Sequence, residues 1–282
     1  MRPVVDFPGV TARRQVSRFT FSGRTSEQTF LGVSALLFVA SVALTIAWCA
    51  SMSSMGGMPI PGDWTMSMAW MRMPGQTWSG AAASFLGMWI VMMMAMMLPS
   101  LVPMLSRYRR AVGKTGDTRL GRLTALAGAG YFFVWTLLGM LIFPLGVALA
   151  AVEMQLPVVS RAVPITAGVV VLIAGALQFT AWKAHHLACC REVSGCGVTL
   201  QSDAGTAWSH GLRLGLHCTY CSIGLTTILL VVGVMNLRAM LVVTIAITLE
   251  RLAPFGERVA HAIGAVVIGA GLFLIARAAG LG

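Results

Sequence analysis

Uncharged apolar runs of roughly 20 residues recur along this chain, divided by short polar stretches, and each is long enough for a helix to cross a hydrocarbon layer about 30 Å thick. The pattern predicts seven spans, at residues 30–50, 81–105, 123–150, 163–186, 209–234, 237–251 and 259–280. The sixth is short and follows the fifth across Asn236, so six spans with one re-entrant segment is the competing count. The expected fold is all-α, a polytopic membrane helix bundle of about seven transmembrane helices. Residues 1–29 read as a basic, cytoplasmic N-terminal segment, and residues 30–282 as a single transmembrane helical domain. No internal repeat or separate soluble domain interrupts it.

Composition agrees with that reading. The chain is 57% hydrophobic and 10% charged over 282 residues, a balance far from that of soluble domains. Its net charge of +11 is unevenly spread. Arg2, Arg13, Arg14, Arg18 and Arg24 precede the first span, and Arg107, Arg109, Arg110, Lys114, Arg119 and Arg122 fill the connection between the second and third. Segments 51–80 and 151–162 hold one basic residue each, Arg72 and Arg161. With the N-terminus inside, most Lys and Arg fall on one side, the positive-inside pattern. This predicts a multi-pass protein of a bacterial inner (cytoplasmic) membrane with a cytoplasmic N-terminus, its partner the lipid bilayer and its basic face meeting anionic headgroups. The charges form no stripe with interleaved aromatics, which argues against nucleic acid. The first apolar run is too long for a signal-peptide core and is read as a retained span.

Sulfur is where the chain departs from an inert bundle. Five of its six cysteines lie within 33 residues, and it carries 19 methionines. Cys218 and Cys221 share a face of the fifth span, and His217 stands at i, i+4 to Cys221. Rising about 1.5 Å per residue, they sit roughly 14 and 18 Å into that span. The second span holds Met92, Met93, Met94, Met96 and Met97, with Met92 and Met96 again one turn apart. The fourth ends in His185, His186, Cys189 and Cys190, where each histidine stands i, i+4 to a cysteine. Thiolates and thioethers are the soft donors that select copper(I); zinc is the weaker candidate. The expected metal set is Met92, Met96, Met97, Cys218 and Cys221 within the membrane. His185, His186, Cys189 and Cys190 form a second, cytoplasmic group through which the ion passes in or out. Glu250, beside Arg251, reads as an ion-paired anchor. A methionine ladder is also ordinary adaptable packing, and Cys49 and Cys196 read as incidental.

On the predicted outer side, Met52, Met55 and Met58 repeat every third residue among glycines and serines, followed by Met66, Met68, Met71 and Met73. Such a repeat resembles the outward copper-collecting segments of eukaryotic high-affinity copper importers, and implies periplasmic metal capture by Met52, Met55 and Met58. The alternative is a loop lying on the membrane surface through Trp64, Trp70 and Trp78.

A wider resemblance is carried by Trp89, Met92, Met93, Met94, Met96, Met97, Leu98, Pro99 and Ser100. Gly211 and Gly215 ahead of Cys218 and Cys221 continue it, then Gly233, Met235, Asn236, Leu237 and Met240, and Glu250, Arg251, Leu252, Pro254 and Gly256. Together they resemble a bacterial family of predicted metal-binding integral membrane proteins, long classed as a domain of unknown function. His186 and Ser222 stand where that family places cysteines, which keeps donor atoms but hardens the site. The resemblance implies metal binding. The leading function is copper(I) handling, as transport, storage or delivery to a cuproenzyme or metallochaperone. Two alternatives use the same residues. One is a thiol–disulfide oxidoreductase coupled to quinone; the other is an assembly subunit whose glycines, such as Gly128, Gly130, Gly264 and Gly269, pack helices closely.

Overall fold

The computed structural model describes residues 10–54, 58–60, 64–66, 70, 72, 75–112, 116–191 and 202–280. Among the described residues the apolar runs fold into eight helices: α1 (Val10–Ser54), α2 (Trp78–Val112), α3 (Asp117–Gln155), α4 (Pro157–Leu177), α5 (Ala181–Arg191), α6 (Ala204–Val232), α7 (Leu237–Leu252) and α8 (Gly256–Ala278). Between α1 and α2 lies an antiparallel hairpin of β1 (Met58–Ile60) and β2 (Trp64–Met66), with Met58 opposite Met66. Met52 sits in the last turn of α1 and Met58 opens β1, while Met55 lies outside the described residues.

Local chemistry fixes the helix ends. Pro157 starts α4 at a position where its missing N–H costs nothing. Asp203 caps α6 by accepting from the Thr206 amide at 2.9 Å, and its bonds to Thr206 hold the carboxyl below the usual carboxylate range. Gly233, at φ +117°, ends α6 in a conformation side chains resist. Asn236 then caps α7 by accepting from the amides of Arg238 and Ala239, both at 3.1 Å.

Among the described residues five helices, α1 from Thr25, α2, α3, α6 and α8, are long and apolar enough to cross a membrane. The expected span at 163–186 is not one straight helix. It breaks at Gln178–Thr180 and turns by 63° into α5, and counting that bent pair as one span gives six. The expected span at 237–251 is α7, whose 16 residues reach about 24 Å, short of a full hydrocarbon layer. The count of about seven therefore resolves into five continuous spans, one bent span and one short helix.

Burial ranks the helices. The most apolar stretch of α2 is 61% buried and that of α6 50%, against 17% for α1 and 22% for α3. Among these long spans α2 and α6 are thus the most enclosed. The N-terminal ends of α3 and α6 lie together, the Arg119 guanidinium donating to the Ser202 carbonyl at 2.7 Å, and the two helices run parallel. Their close approach depends on glycine: a Cβ at Gly211 would collide with the Ala127 carbonyl, and one at Gly215 would stand 2.9 Å from the Tyr131 carbonyl. Gly130 and Gly264 likewise sit at tight helix crossings, whereas Gly269 faces open space. Helix α8 runs antiparallel to α4, with Gly264 against Gln178 and Gly168 against Ile275.

Candidate metal centre

Cys218 and Cys221 lie near the middle of α6, Cys218 about 21 Å from its start. Both are buried, at 0% and 2% exposure. Their i, i+3 spacing turns them to one side of the helix, and the Ser222 hydroxyl donates to the Cys218 carbonyl at 2.7 Å. Four other helices bring partners. From α2, the Met97 Sδ lies 4.0 Å from the Cys218 Sγ. From α5, the Cys190 Sγ lies 3.9 Å from the Cys221 Sγ. From α3, the Tyr131 hydroxyl is 2.7 Å from the Cys218 Sγ.

The fifth contributor, α7, adds a charge. The Arg251 guanidinium donates from one nitrogen to the sulfurs of Cys218 at 2.7 Å and Cys221 at 3.3 Å, and to the Cys218 carbonyl at 3.3 Å. Its other terminal nitrogen donates to the Ser100 hydroxyl at 3.1 Å, while Nε has no partner among the described residues. Ser100 is fixed in turn by donating to the Met97 carbonyl at 3.0 Å. A guanidinium stays charged, and burying it requires hydrogen bonds and countercharge. Here the two thiol sulfurs face it, not a carboxylate.

Glu250 points elsewhere. It pairs with Lys183 of α5 at 2.8 Å, with both side chains buried. Glu250 is an ion-paired anchor as expected, but its partner comes from another helix and not from neighbouring Arg251. The pair ties α5 to α7 at the level of the sulfurs.

The remaining candidates divide. The expected cytoplasmic group does not stand apart: Cys190 touches the membrane thiols, so the two expected groups adjoin. His186 faces across to His217 of α6, their Nδ1 atoms 3.0 Å apart, and does not pair with Cys190 of its own helix. Cys189 lies 3.8 Å from the His185 Nε2 and is disulfide-bonded, whereas Cys190, Cys218 and Cys221 are free. Met92, Met93 and Met96 are buried in the same core, yet the methionine sulfur that meets Cys218 is that of Met97. Cys49, read as incidental, approaches the Met235 Sδ at 3.8 Å, where the end of α1 meets the turn between α6 and α7. Tyr131, Lys183 and His217 were not in the expected set. Their signal was a polar side chain inside an apolar run, which is functional until a structural partner accounts for it.

Among the described residues, no three His, Cys, Asp or Glu side chains form a ready-made cage. What converges is softer and sparser: three thiols and a thioether around one guanidinium. Such a donor set fits copper(I), which soft sulfur ligands select, better than zinc, whose structural sites close tetrahedrally with Cys and His. No curated protein and no solved structure matches the chain. A family described as copper chaperone, PpoB2, matches residues 86–274, from the start of the methionine cluster to within α8. That stretch is two thirds of the chain and contains every residue of the sulfur cluster, so the protein belongs to this copper chaperone family.

Proposed function

We propose that this protein is a membrane-embedded carrier that holds copper(I) as cargo at Cys218, Cys221 and Cys190, with Met97 as a thioether neighbour, and delivers it to a cuproenzyme or a metallochaperone. The observation that carries the reading is the meeting of four sulfurs from α2, α5 and α6 beside a buried guanidinium. A copper(I) ion held by two thiolates bears one net negative charge. Arg251 lies where it cancels that charge, so loading leaves no uncompensated ion in the apolar interior. Tyr131 and Ser100 hold Cys218 and Arg251 in place, the supporting contacts that orient metal ligands.

The bilayer position follows from the long apolar helices and the basic face. Arg109 donates to the Ser26 side chain at 2.8 Å, Arg110 pairs with Glu27 at 3.4 Å, and Arg107 donates to the Arg191 carbonyl at 2.8 Å. These contacts gather the start of the spanning part of α1 and the ends of α2 and α5 on the face that the positive-inside pattern assigns to the cytoplasm. On this reading the protein is a multi-pass inner-membrane protein with a cytoplasmic N-terminus and a helical domain spanning 30–282, which the charge asymmetry supports. Met52, Met55 and Met58 collect copper on the opposite, periplasmic side.

The test is metal content. Protein purified under reducing conditions from copper-supplemented cells is expected to carry near-stoichiometric copper, and Cys218→Ser with Cys221→Ser to lose its sulfur-bound copper, as read by X-ray absorption. Sulfur-bound copper retained in the folded double variant would reject the site.

A further inference from the structure

Helices α5 and α6 carry matching pairs of metal-binding side chains in register. On α5, His186 and Cys190 are four residues apart; on α6, His217 and Cys221 are four residues apart. Four helical residues advance about 6 Å. Across the interface, the two histidines meet at 3.0 Å between Nδ1 atoms, and the two cysteines at 3.9 Å between sulfurs. The result is a ladder of two rungs, one of imidazoles and one of thiols, a single helical turn apart. The thiol rung is buried; the histidine rung is half-buried and opens outward beside exposed His185.

Structural packing alone does not account for the upper rung. An imidazole in the middle of an apolar spanning helix, as His217 is in α6, is costly unless it serves a purpose. The aromatic rings around His186 leave its ring nitrogen free for His217: Trp182 lies edge-on at 4.8 Å and Tyr220 at 4.9 Å between centroids. With two nitrogens facing at 3.0 Å, one donates and the other accepts, a proton standing between them. Widening the gap by about 1 Å replaces that proton with a metal ion at the ~2.0 Å typical of imidazole ligation.

We infer that His186 and His217 form a second copper(I) site, an outer rung that receives the ion before the thiols and passes it to Cys190 and Cys221. This rests on the copper(I) reading of the thiol cluster and adds its route of access. The step is ligand exchange without redox change: two copper–nitrogen bonds break and two copper–sulfur bonds form. The proton between the imidazoles shifts to the outer nitrogen of its ring while copper is bound and returns when the ion leaves, and each thiol that becomes a ligand releases one proton to solvent. Nitrogen ligands are harder than thiolates, so the ion moves inward down the gradient of donor softness.

The experiment uses the full chain in detergent with copper(I) kept reduced, read by X-ray absorption and by loading rate. Cys190→Ser with Cys221→Ser is expected to hold copper with nitrogen neighbours, and adding His186→Gln and His217→Gln to remove that signal. With the thiols intact, the double glutamine variant should reach wild-type sulfur-bound copper at least tenfold more slowly. Glutamine retains an amide pair across the interface, and unchanged helicity by circular dichroism confirms folding. Absence of nitrogen-bound copper in the cysteine variant, or wild-type loading in the glutamine variant, would overturn the histidine rung. Wild-type protein lacking sulfur-bound copper would instead reject the thiol site itself.

Discussion

Arg251 sets the electrostatic surroundings of the two membrane thiols. A thiol pair inside a bundle can pack as small apolar groups, but a buried guanidinium bonded to both sulfurs gives the pair an electrostatic role. Arg251→Gln keeps hydrogen-bonding capacity and removes the charge, so copper(I) affinity should fall about tenfold, or about 1.4 kcal/mol. Arg251→Lys keeps the charge without the planar fork and should recover much of it. Competition with a copper(I) chelator measures both, and a glutamine variant that binds as tightly as wild type would refute charge compensation. The Lys183–Glu250 pair makes a different prediction. Lys183→Met leaves a buried carboxylate alone and should cost about 3–5 kcal/mol, while adding Glu250→Leu should restore most of it. Chemical denaturation in detergent separates the two cases.

Helices position these side chains through close contacts that only small residues allow. Gly211 presses on the Ala127 carbonyl one helix away, and the backbone there cannot yield as a flexible side chain could. Gly211→Ala should therefore push α6 from α3, costing about 1–3 kcal/mol. It should also loosen the 2.7 Å contact between Tyr131 and Cys218 two turns further on. A lower melting temperature together with reduced copper retention is the expected pair of readouts. An unchanged melting temperature would mean that the α3–α6 contact is slack. The bend between α4 and α5 works in the same direction. It swings α5 away from the course of α4, which lets Lys183, His186 and Cys190 address α6 and α7.

Across the whole molecule, the basic residues and the sulfur cluster are linked by helix direction. The start of the spanning part of α1, from Thr25, meets the end of α2 through Ser26 and Arg109, and α3 and α6 start together through Arg119 and Ser202. Helix α8 runs antiparallel to α4 and so ends where α4 begins, at the far end of the bundle from those contacts. The short α7 must then return the chain toward Arg191, whose guanidinium bonds the carbonyls of Ala253 and Pro254. Reporter fusions at residues 1 and 282 should fall on opposite sides of the membrane. Fusions on the same side would show that α7 turns back without crossing.

The sequence by itself determined the class of the molecule and the kind of donor it offers. Apolar runs, charge asymmetry and clustered sulfur are local properties, legible from composition and spacing. They predicted an all-α bundle and named Cys218, Cys221, Cys190 and Met97 among the candidates. What tertiary structure decided is which of them meet. Helical periodicity assigns a residue to a face but not to a partner, so it favoured Met92 and Met96 equally with Met97 and paired His186 with Cys190 along one helix. Only packing showed His186 facing His217, Arg251 facing two thiols in place of Glu250, and Tyr131 reaching Cys218. Each of these contacts joins residues at least 30 positions apart, and its energy depends on the three-dimensional distance between charges and donors, which no run of sequence specifies.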